Sequence, residues 1–309
     1  MNCKICSSSA GINIVAKDNG TGNSFNYWQC DSCQVVFLQQ IPESYEKYYS
    51  SNYYSFVEDD AKSLISFIKQ KRDAFHLKNS GFAGGILGSL IPNYNLQALQ
   101  LLQLKPSDIL LDIGCGIGKE IRSLKQNGFN YVHGIDPYIT NDIFLNNELL
   151  VAKKDIDELE GHFDVITMHH SFEHMNEPLQ VLQKLYRHLS ASGRIMIRIP
   201  VADSYAYQKF GTSWVQFDAP RHIFLHTKKS IALLAEQTGF IIDNFFSDSS
   251  SFQFWGTRLN KKGYSIHSVP KRKIFLSKLA SVFKGESRFA KSLNKQGKGD
   301  QAIFILRKA

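Results

Sequence analysis

The chain has 309 residues, of which 43% are hydrophobic and 21% charged, and its formal net charge is +8. That length accommodates one full α/β core with smaller appendages, and the composition is that of an ordinary soluble protein. No apolar run approaches the roughly 20 residues that span a bilayer. Residues 1–10 lack the hydrophobic stretch of a signal peptide, so the sequence is read as cytoplasmic.

Four of the five cysteines open the chain as Cys3-x-x-Cys6 and Cys30-x-x-Cys33, with 23 residues between the pairs. Two knuckles at two-residue spacing let four thiolates converge on one tetrahedral ion, which reads as a structural zinc site. The alternatives are a pair of disulfides or four unrelated thiols. A cytosolic chain disfavours the first, and the repeated spacing disfavours the second. Ile12–Val15 and Phe25–Trp28 are predicted to form a hairpin hanging from the ion, so residues 1–41 make a small zinc ribbon. Four thiolates fill the coordination sphere, which gives the metal a stabilising role and no catalytic one.

Residues 42–106 form a connector or lid. Tyr45, Tyr48, Tyr49, Tyr53 and Tyr54 crowd its start, as packing residues between modules or as a cover for the site. Helical periodicity runs over 61–78, a glycine-rich break covers 81–88, and a helix resumes over 95–104 before Pro106.

The most informative stretch follows. Residues 109–118 read Ile-Leu-Leu-Asp-Ile-Gly-Cys-Gly-Ile-Gly, an apolar strand ending at Asp112 and then Gly114, Gly116 and Gly118. A helix is predicted over Lys119–Gln126, and a second strand, Tyr131–Asp136, ends in an acid. Absent Cβ atoms let backbone N–H groups approach a ligand closely, and an acid about 20 residues on meets a ribose. The dinucleotide fingerprint puts its third glycine three residues after the second, whereas here the interval is two. Asp-x-Gly-x-Gly-x-Gly, with an acid ending the next strand, resembles the cofactor motif of class I S-adenosylmethionine-dependent methyltransferases. The resemblance implies a Rossmann-like α/β sheet with helices on both faces. It also implies S-adenosyl-L-methionine as cofactor, held by Asp112, Gly114, Cys115, Gly116, Gly118, Asp136, Asp155, Ile156 and His169. Cys115 also reads as a small side chain that simply fits a crowded turn.

Downstream, residues 151–155 lead into a helix-like Ile156–Glu160, and Phe163–Met168 is a strand followed by the polar run His169–His174. A helix opens at 176–179, with Leu179, Leu182, Leu185, Tyr186 and Leu189 on one face, and Ser190–Gly193 is a turn into the strand Arg194–Ile199. Lys229–Gly239 is helical, while Phe240–Phe246 and Gln301–Leu306 are strands. This alternation implies a mostly parallel sheet, to which the resemblance adds an antiparallel edge strand at the end.

Residues 107–309 thus make the core, with a basic insertion at about 252–300. Between Arg258 and Lys298 stand twelve Lys or Arg against Glu286 alone, a local charge of +11, leaving +8 − 11 = −3 for the remainder. Within it Ile274, Phe275, Leu279, Val282 and Phe283 share a helical face among Lys271, Lys273, Lys278 and Lys284. Such a helix can rest on an anionic membrane surface or touch a polyanion, or serve as a lid or dimer helix with solvated lysines. Residues 285–299 read as a flexible basic loop.

Methyl transfer is an in-line displacement, and a hydroxyl acceptor also needs a base. Glu173 and His174 follow one strand, and Arg221 and His222 follow the next, with His226 four residues on. His174, His222 and Glu173 are therefore the catalytic candidates, since imidazole titrates near neutrality. His170, Glu173 and His174 also offer three ligands to a second, divalent metal. The four-cysteine module, tyrosine-rich connector and Glu-His pair resemble bacterial methyltransferases that modify sugars, in nucleotide-linked or glycan form. The acceptor implied is a small molecule, a sugar hydroxyl or carbon. The C-terminal domain that sugar C-methyltransferases carry has no counterpart here, which leaves O-methylation equally open. Two rivals remain: a ribosomal RNA base methyltransferase with a zinc module, and a catalytically inactive scaffold. Against nucleic acid, the zinc module has only Lys4 and Lys17, opposed by Asp18 and Asp31. Against a scaffold, Asp112, Gly114, Gly116 and Asp136 are all in place.

Overall fold

A computed structural model describes residues 1–43, 48, 64–78 and 93–309. In chain order, β1 (Gly11–Lys17), β2 (Ser24–Cys30) and β3 (Val36–Leu38) precede helices α1 (Leu64–Lys78) and α2 (Tyr94–Leu99). Then come β4 (Leu110–Ile113), α3 (Lys119–Gln126), β5 (Val132–Ile135), β6 (Ile143–Leu145), β7 (Glu148–Ala152) and β8 (Phe163–His169). Next are α4 (Pro178–His188), β9 (Leu189–Pro200), α5 (Tyr205–Phe210), β10 (Phe224–Leu225), α6 (Lys228–Gln237) and β11 (Phe240–Ser247). The chain closes with α7 (Phe252–Lys261), α8 (Lys271–Phe283), α9 (Glu286–Lys295) and β12 (Gln301–Lys308).

Eight strands form the main sheet in the order β11-β12-β9-β8-β4-β5-β7-β6. The five from β9 to β7 run parallel, and β4, most of β8 and the second half of β9 are buried because helices cover both faces. This is a Rossmann-like α/β fold, a mixed central sheet with helices on both faces. The strand ends that face the site are those of β4, β5 and β8, beside the point where strand order reverses.

Several elements differ from the sequence reading. Residues 190–193 continue β9 instead of forming a free turn. The register jumps from Phe163 opposite Leu189 to Val165 opposite Arg194, so the extra residues are absorbed as a bulge. Leu189 accordingly belongs to β9 and not to the helix stripe. β12 is antiparallel as expected but lies inside the sheet, and β11 takes the edge. Residues 286–295, expected as a flexible loop, are the helix α9. It buries Ala290 and Leu293 against Phe254. β6 and β7 form an unforeseen hairpin whose two turn residues, Asn146 and Asn147, adopt positive φ (52° and 66°). Tyr45, Tyr49, Tyr53, Tyr54 and the break at 81–88 lie outside the described residues; Tyr48 is buried edge-on to Phe25.

The N-terminal hairpin forms as read, β1 against β2, with its turn held by Asp18, whose carboxylate accepts from Gly20 N, Thr21 N and Thr21 Oγ1. Its sheet does not close within residues 1–41. The order is β1-β2-β3-β10, so the outermost strand comes from residues 224–225. Tyr27, Phe37, Phe217 and Phe224 meet across the junction, each at most 1% exposed. Each such ring contributes about 1.5–3 kcal/mol of burial, a sum comparable to the roughly 5–15 kcal/mol that holds a domain folded. The module and the 217–226 segment therefore stand or fall together.

His226 sits at this junction, fully buried and stacked between Phe172 and Phe224 (centroids 5.1 and 5.4 Å). Burial holds its imidazole down at about 3, and His222 down at about 4, against about 6.5 in an unfolded chain. Between those values the unfolded chain takes the proton and the fold does not. The stabilisation is complete above pH about 6.5 and is lost as pH falls toward the folded values. Melting temperature should therefore decline from pH 6.5 to 4. His226→Phe, which keeps the stack, should flatten that decline; an unchanged slope would contradict this assignment.

Candidate active site

The strand β4 delivers Asp112 to the sheet's ligand-binding edge, and the glycine turn follows at once. Gly114, Gly116 and Gly118 all have positive φ (72°, 56° and 71°). A Cβ on Gly114 would lie 2.5 Å from Ser171 Cβ, and one on Gly118 would lie 2.5 Å from Val151 Cγ2, so both positions lack room as well as the right dihedral. The turn is locked to β5 by Gly114 N donating to Ile135 O (2.8 Å) and Gly116 N donating to Asp136 Oδ2 (2.8 Å). Asp136 Oδ1 accepts from Tyr138 N (2.9 Å), and burial pushes its carboxyl up. Two backbone donors leave a carboxylate with lone pairs for further hydroxyl partners. Asp112 is buried under the turn, accepts from Thr167 Oγ1 (2.8 Å), and is pushed up by burial to about 8.

A cavity of about 1190 Å³ opens over these strand ends, larger than the roughly 300–1,000 Å³ of single-ligand pockets. Asp112, Gly114, Cys115, Asp136, Asp155, Ile156 and His169 line it. Gly116 and Gly118 act behind its wall, the first bonding Asp136 and the second capping α3 against Val151. Asp155 stands exposed at the rim and caps the short turn Ile156–Glu158 by accepting from Asp157 N. Both ring nitrogens of His169 are buried without a protein partner, and burial, with the Arg198 charge beside it, holds its pKa far down. Lys119 and Glu120 add opposite charges to the wall beside the turn, suited to a zwitterion.

A second constellation lies beside it. Glu173, His174 and His222 each present one donor atom, all within 4.8 Å of one another. His174 Nδ1 donates to Arg221 O (2.7 Å), and His222 Nδ1 donates to Gln216 O (2.7 Å). Carbonyls only accept, so each ring keeps its proton on Nδ1 and a lone pair on Nε2; His174 lines the cavity, whereas His222 is buried behind it with Nε2 toward Glu173 and Asp218. Glu173 is fully buried, with Oε2 unpartnered and Oε1 3.9 Å from His222 Nε2. Burial pushes this carboxyl up, but His170, His174 and His222 more than offset that and hold it at about 2. His170 does not join the trio as a metal ligand. Its Nε2 accepts from Arg198 Nη1 (3.1 Å) and faces Gln301, and its Nδ1 faces Glu173 Oε1 (3.3 Å), so both nitrogens are used.

Comparison with known proteins matches residues 90–243 to the methyltransferase-domain family. Residues 90–243 are an S-adenosylmethionine-dependent methyltransferase domain. Phosphoethanolamine N-methyltransferase 2 of Caenorhabditis elegans is 28% identical over 174 residues, covering 52% of this chain and 38% of its own. Ubiquinone biosynthesis O-methyltransferase of Pseudomonas aeruginosa is 27% identical over 127 residues, covering 36% and 53%. The chain thus spans from about a third to about half the length of these curated relatives. Among solved structures, an O-methyltransferase from a Brevibacillus brevis polyketide synthase, in complex with S-adenosyl-L-homocysteine, is similar at 16% identity. Its TM-score is 0.43, with 69% of this chain and 71% of that one covered.

Three residues of the methyltransferase domain belong to the site without having been read from the sequence. Asn95 lines the cavity, donates to Glu120 Oε1 (2.8 Å) and accepts from Arg198 Nη1 (2.7 Å). Arg198, 3% exposed, is anchored on Asp248 (2.6 Å). Ser171 bonds Ile113 O (2.7 Å) and walls the glycine turn. None carries a motif, and only the sheet brings them together.

Outside the domain, the four cysteines come together. Cys3 and Cys33 Sγ are 3.6 Å apart, Cys6 and Cys30 Sγ are 3.5 Å apart, and all four fall within 4.8 Å. A tetrahedron with metal–sulfur distances of about 2.3 Å has edges of about 3.8 Å, whereas a disulfide needs about 2.05 Å. Ser7 and Gln34, each one residue past its knuckle, share the same left-handed backbone (φ 61° and 59°). Backbone N–H groups of Ile5 and Cys33 point at Cys3 and Cys30 sulfurs. The donor set fits zinc.

Proposed function

We propose that this chain transfers a methyl group from S-adenosylmethionine to a hydroxyl of a small acceptor, most plainly a sugar in nucleotide-linked or glycan form. The observation that carries the reading is the Nε2 lone pair of His174 on the wall of a cavity large enough for cofactor and acceptor together, with Glu173 and His222 buried behind it. Bound S-adenosylmethionine supplies an electrophilic methyl on a sulfonium sulfur. His174 takes the acceptor's hydroxyl proton on Nε2 as the oxygen–carbon bond forms, and Glu173, held in place beside His222, stabilises the resulting imidazolium. The cofactor would leave as a neutral thioether that keeps the carbon–sulfur electron pair, so this chain's residues need stabilise no further charge. Asp136 holds the ribose hydroxyls, and Asp155 with Ile156 holds the adenine. The polar cavity wall from α4 and the preceding loop (Asn176, Glu177, Gln180, Gln183) suits a polyhydroxyl acceptor.

We also assign a structural zinc to Cys3, Cys6, Cys30 and Cys33. Its part is to hold the four-strand sheet that ends in β10, next to His222. A ribosomal RNA base methyltransferase is the rival that the basic segment favours. Against it, Lys4, one of the module's few cations, lies over the Phe37 and Phe224 rings at about 6 Å from each centroid, turned onto the fold.

Two measurements test the reading. Purified protein should contain one zinc per chain, and elemental analysis near zero would remove the metal. Methyl transfer to nucleotide sugars, with undermethylated ribosomes as comparator, should favour the sugars. His174→Ala or His222→Ala should cut that turnover roughly a hundredfold or more, with cofactor affinity by calorimetry unchanged. Turnover within a few-fold of wild type in both variants, or methylation of the ribosomes alone, would overturn it.

A further inference from the structure

We infer that helix α8 seats this protein in the plane of an anionic lipid bilayer, through Phe275, Leu276, Leu279, Val282 and Phe283. These five side chains are 64%, 52%, 40%, 69% and 82% exposed. At 100° per residue they fall within an arc of about 120°. The helix is docked by its other side: Ser281 is buried, Ser277 Oγ donates to Trp255 O (2.8 Å), and Arg258 Nη2 donates to Ser277 O (2.9 Å). A surface helix ordinarily turns its apolar stripe to the core and its small polar residues to water. Here the orientation is reversed, which marks a face made for a partner.

Charge selects the partner. Lys271, Arg272, Lys273 and Lys278 are exposed on the same helix and Lys284 just past its end, and residues 258–298 carry +11. A second copy seated on this face would bring the same positive charge against itself. A nucleic acid would answer the lysines but has no use for two phenylalanines, two leucines and a valine. A bilayer with anionic headgroups answers both at once, taking the apolar arc below the headgroups and the cations among them. No helix among the described residues is long and apolar enough to cross a membrane, so the contact lies in the plane of the interface. The seat is joined to the candidate site, because His267 in the α7–α8 connection lies 3.7 Å from Asp218, which pairs with Arg221.

The test is co-sedimentation of the full chain with vesicles of phosphatidylcholine, with and without phosphatidylglycerol. Wild type should pellet with the anionic vesicles, lose that binding as salt is raised, and stay in solution with the neutral ones. Phe275→Ser combined with Phe283→Ser, both on the surface, should lower partition roughly tenfold at an unchanged melting temperature. Failure to bind anionic vesicles at low salt would overturn the proposal. So would a double variant that binds as wild type does, since the charge alone would then serve any polyanion. A lipid-free sedimentation coefficient that drops in the double variant would assign the face to a second copy instead.

Discussion

The pairing of β3 with β10, Phe37 opposite Phe224 and Val36 opposite Leu225, is the constraint on which the candidate site depends. It joins a cysteine cluster at the chain's start to a segment nearly two hundred residues later. On one side of the junction Thr227 Oγ1 donates to Cys33 O (2.7 Å) and Lys229 Nζ donates to Ser32 O (2.7 Å). On the other, Tyr27 Oη donates to the carbonyl of His222 itself (3.0 Å), and Leu38 N donates to Ile223 O (2.8 Å). A short strand of two residues has too few ladder bonds to fix itself. The position of His222 is set through the strands that the cysteine cluster opens, so a metal bound by those four thiols would act on this segment through the sheet.

Around that frame, burial and pairing divide the ionisable groups by role. Glu173 is surrounded by imidazoles and kept ionised, while Asp112, burdened by burial with only a threonine hydroxyl as partner, is held up near neutrality. His222 and His226 are both buried, yet they differ in what their free nitrogens meet. His222 Nε2 looks toward Glu173 and Asp218, whereas His226 is closed in by rings, with its Nδ1 beside Ser230 Oγ. The first is held among carboxylates beside the cavity wall, the second is packed between rings.

Local chemistry was legible in the sequence, and long-range partnership was not. The glycine turn and Lys119–Gln126 were readable because positive φ, missing Cβ atoms and a capped helix leave a local trace. The cysteine spacing was readable for the same reason. β10 was invisible: two residues carry no period, and their partner lies across the chain. The α9 helix was lost because its glycine boundaries and lysines look like a loop, and its buried face is only Ala290 and Leu293. The excursion at 190–193 reads as a turn by composition, and only the register against β8 shows it as a bulge. Arg198 and Asn95 have no motif; their part comes from meeting across the sheet edge.

The central claim is that the four-cysteine cluster positions the His222 segment and leaves the cofactor turn alone. Hydrogen–deuterium exchange on the whole chain, with zinc supplied and again with a chelator added, tests it most directly. Exchange should rise together in residues 24–38 and 217–227, with residues 110–136 protected as before. Faster exchange confined to the N-terminal hairpin, with 217–227 unchanged, would contradict the account.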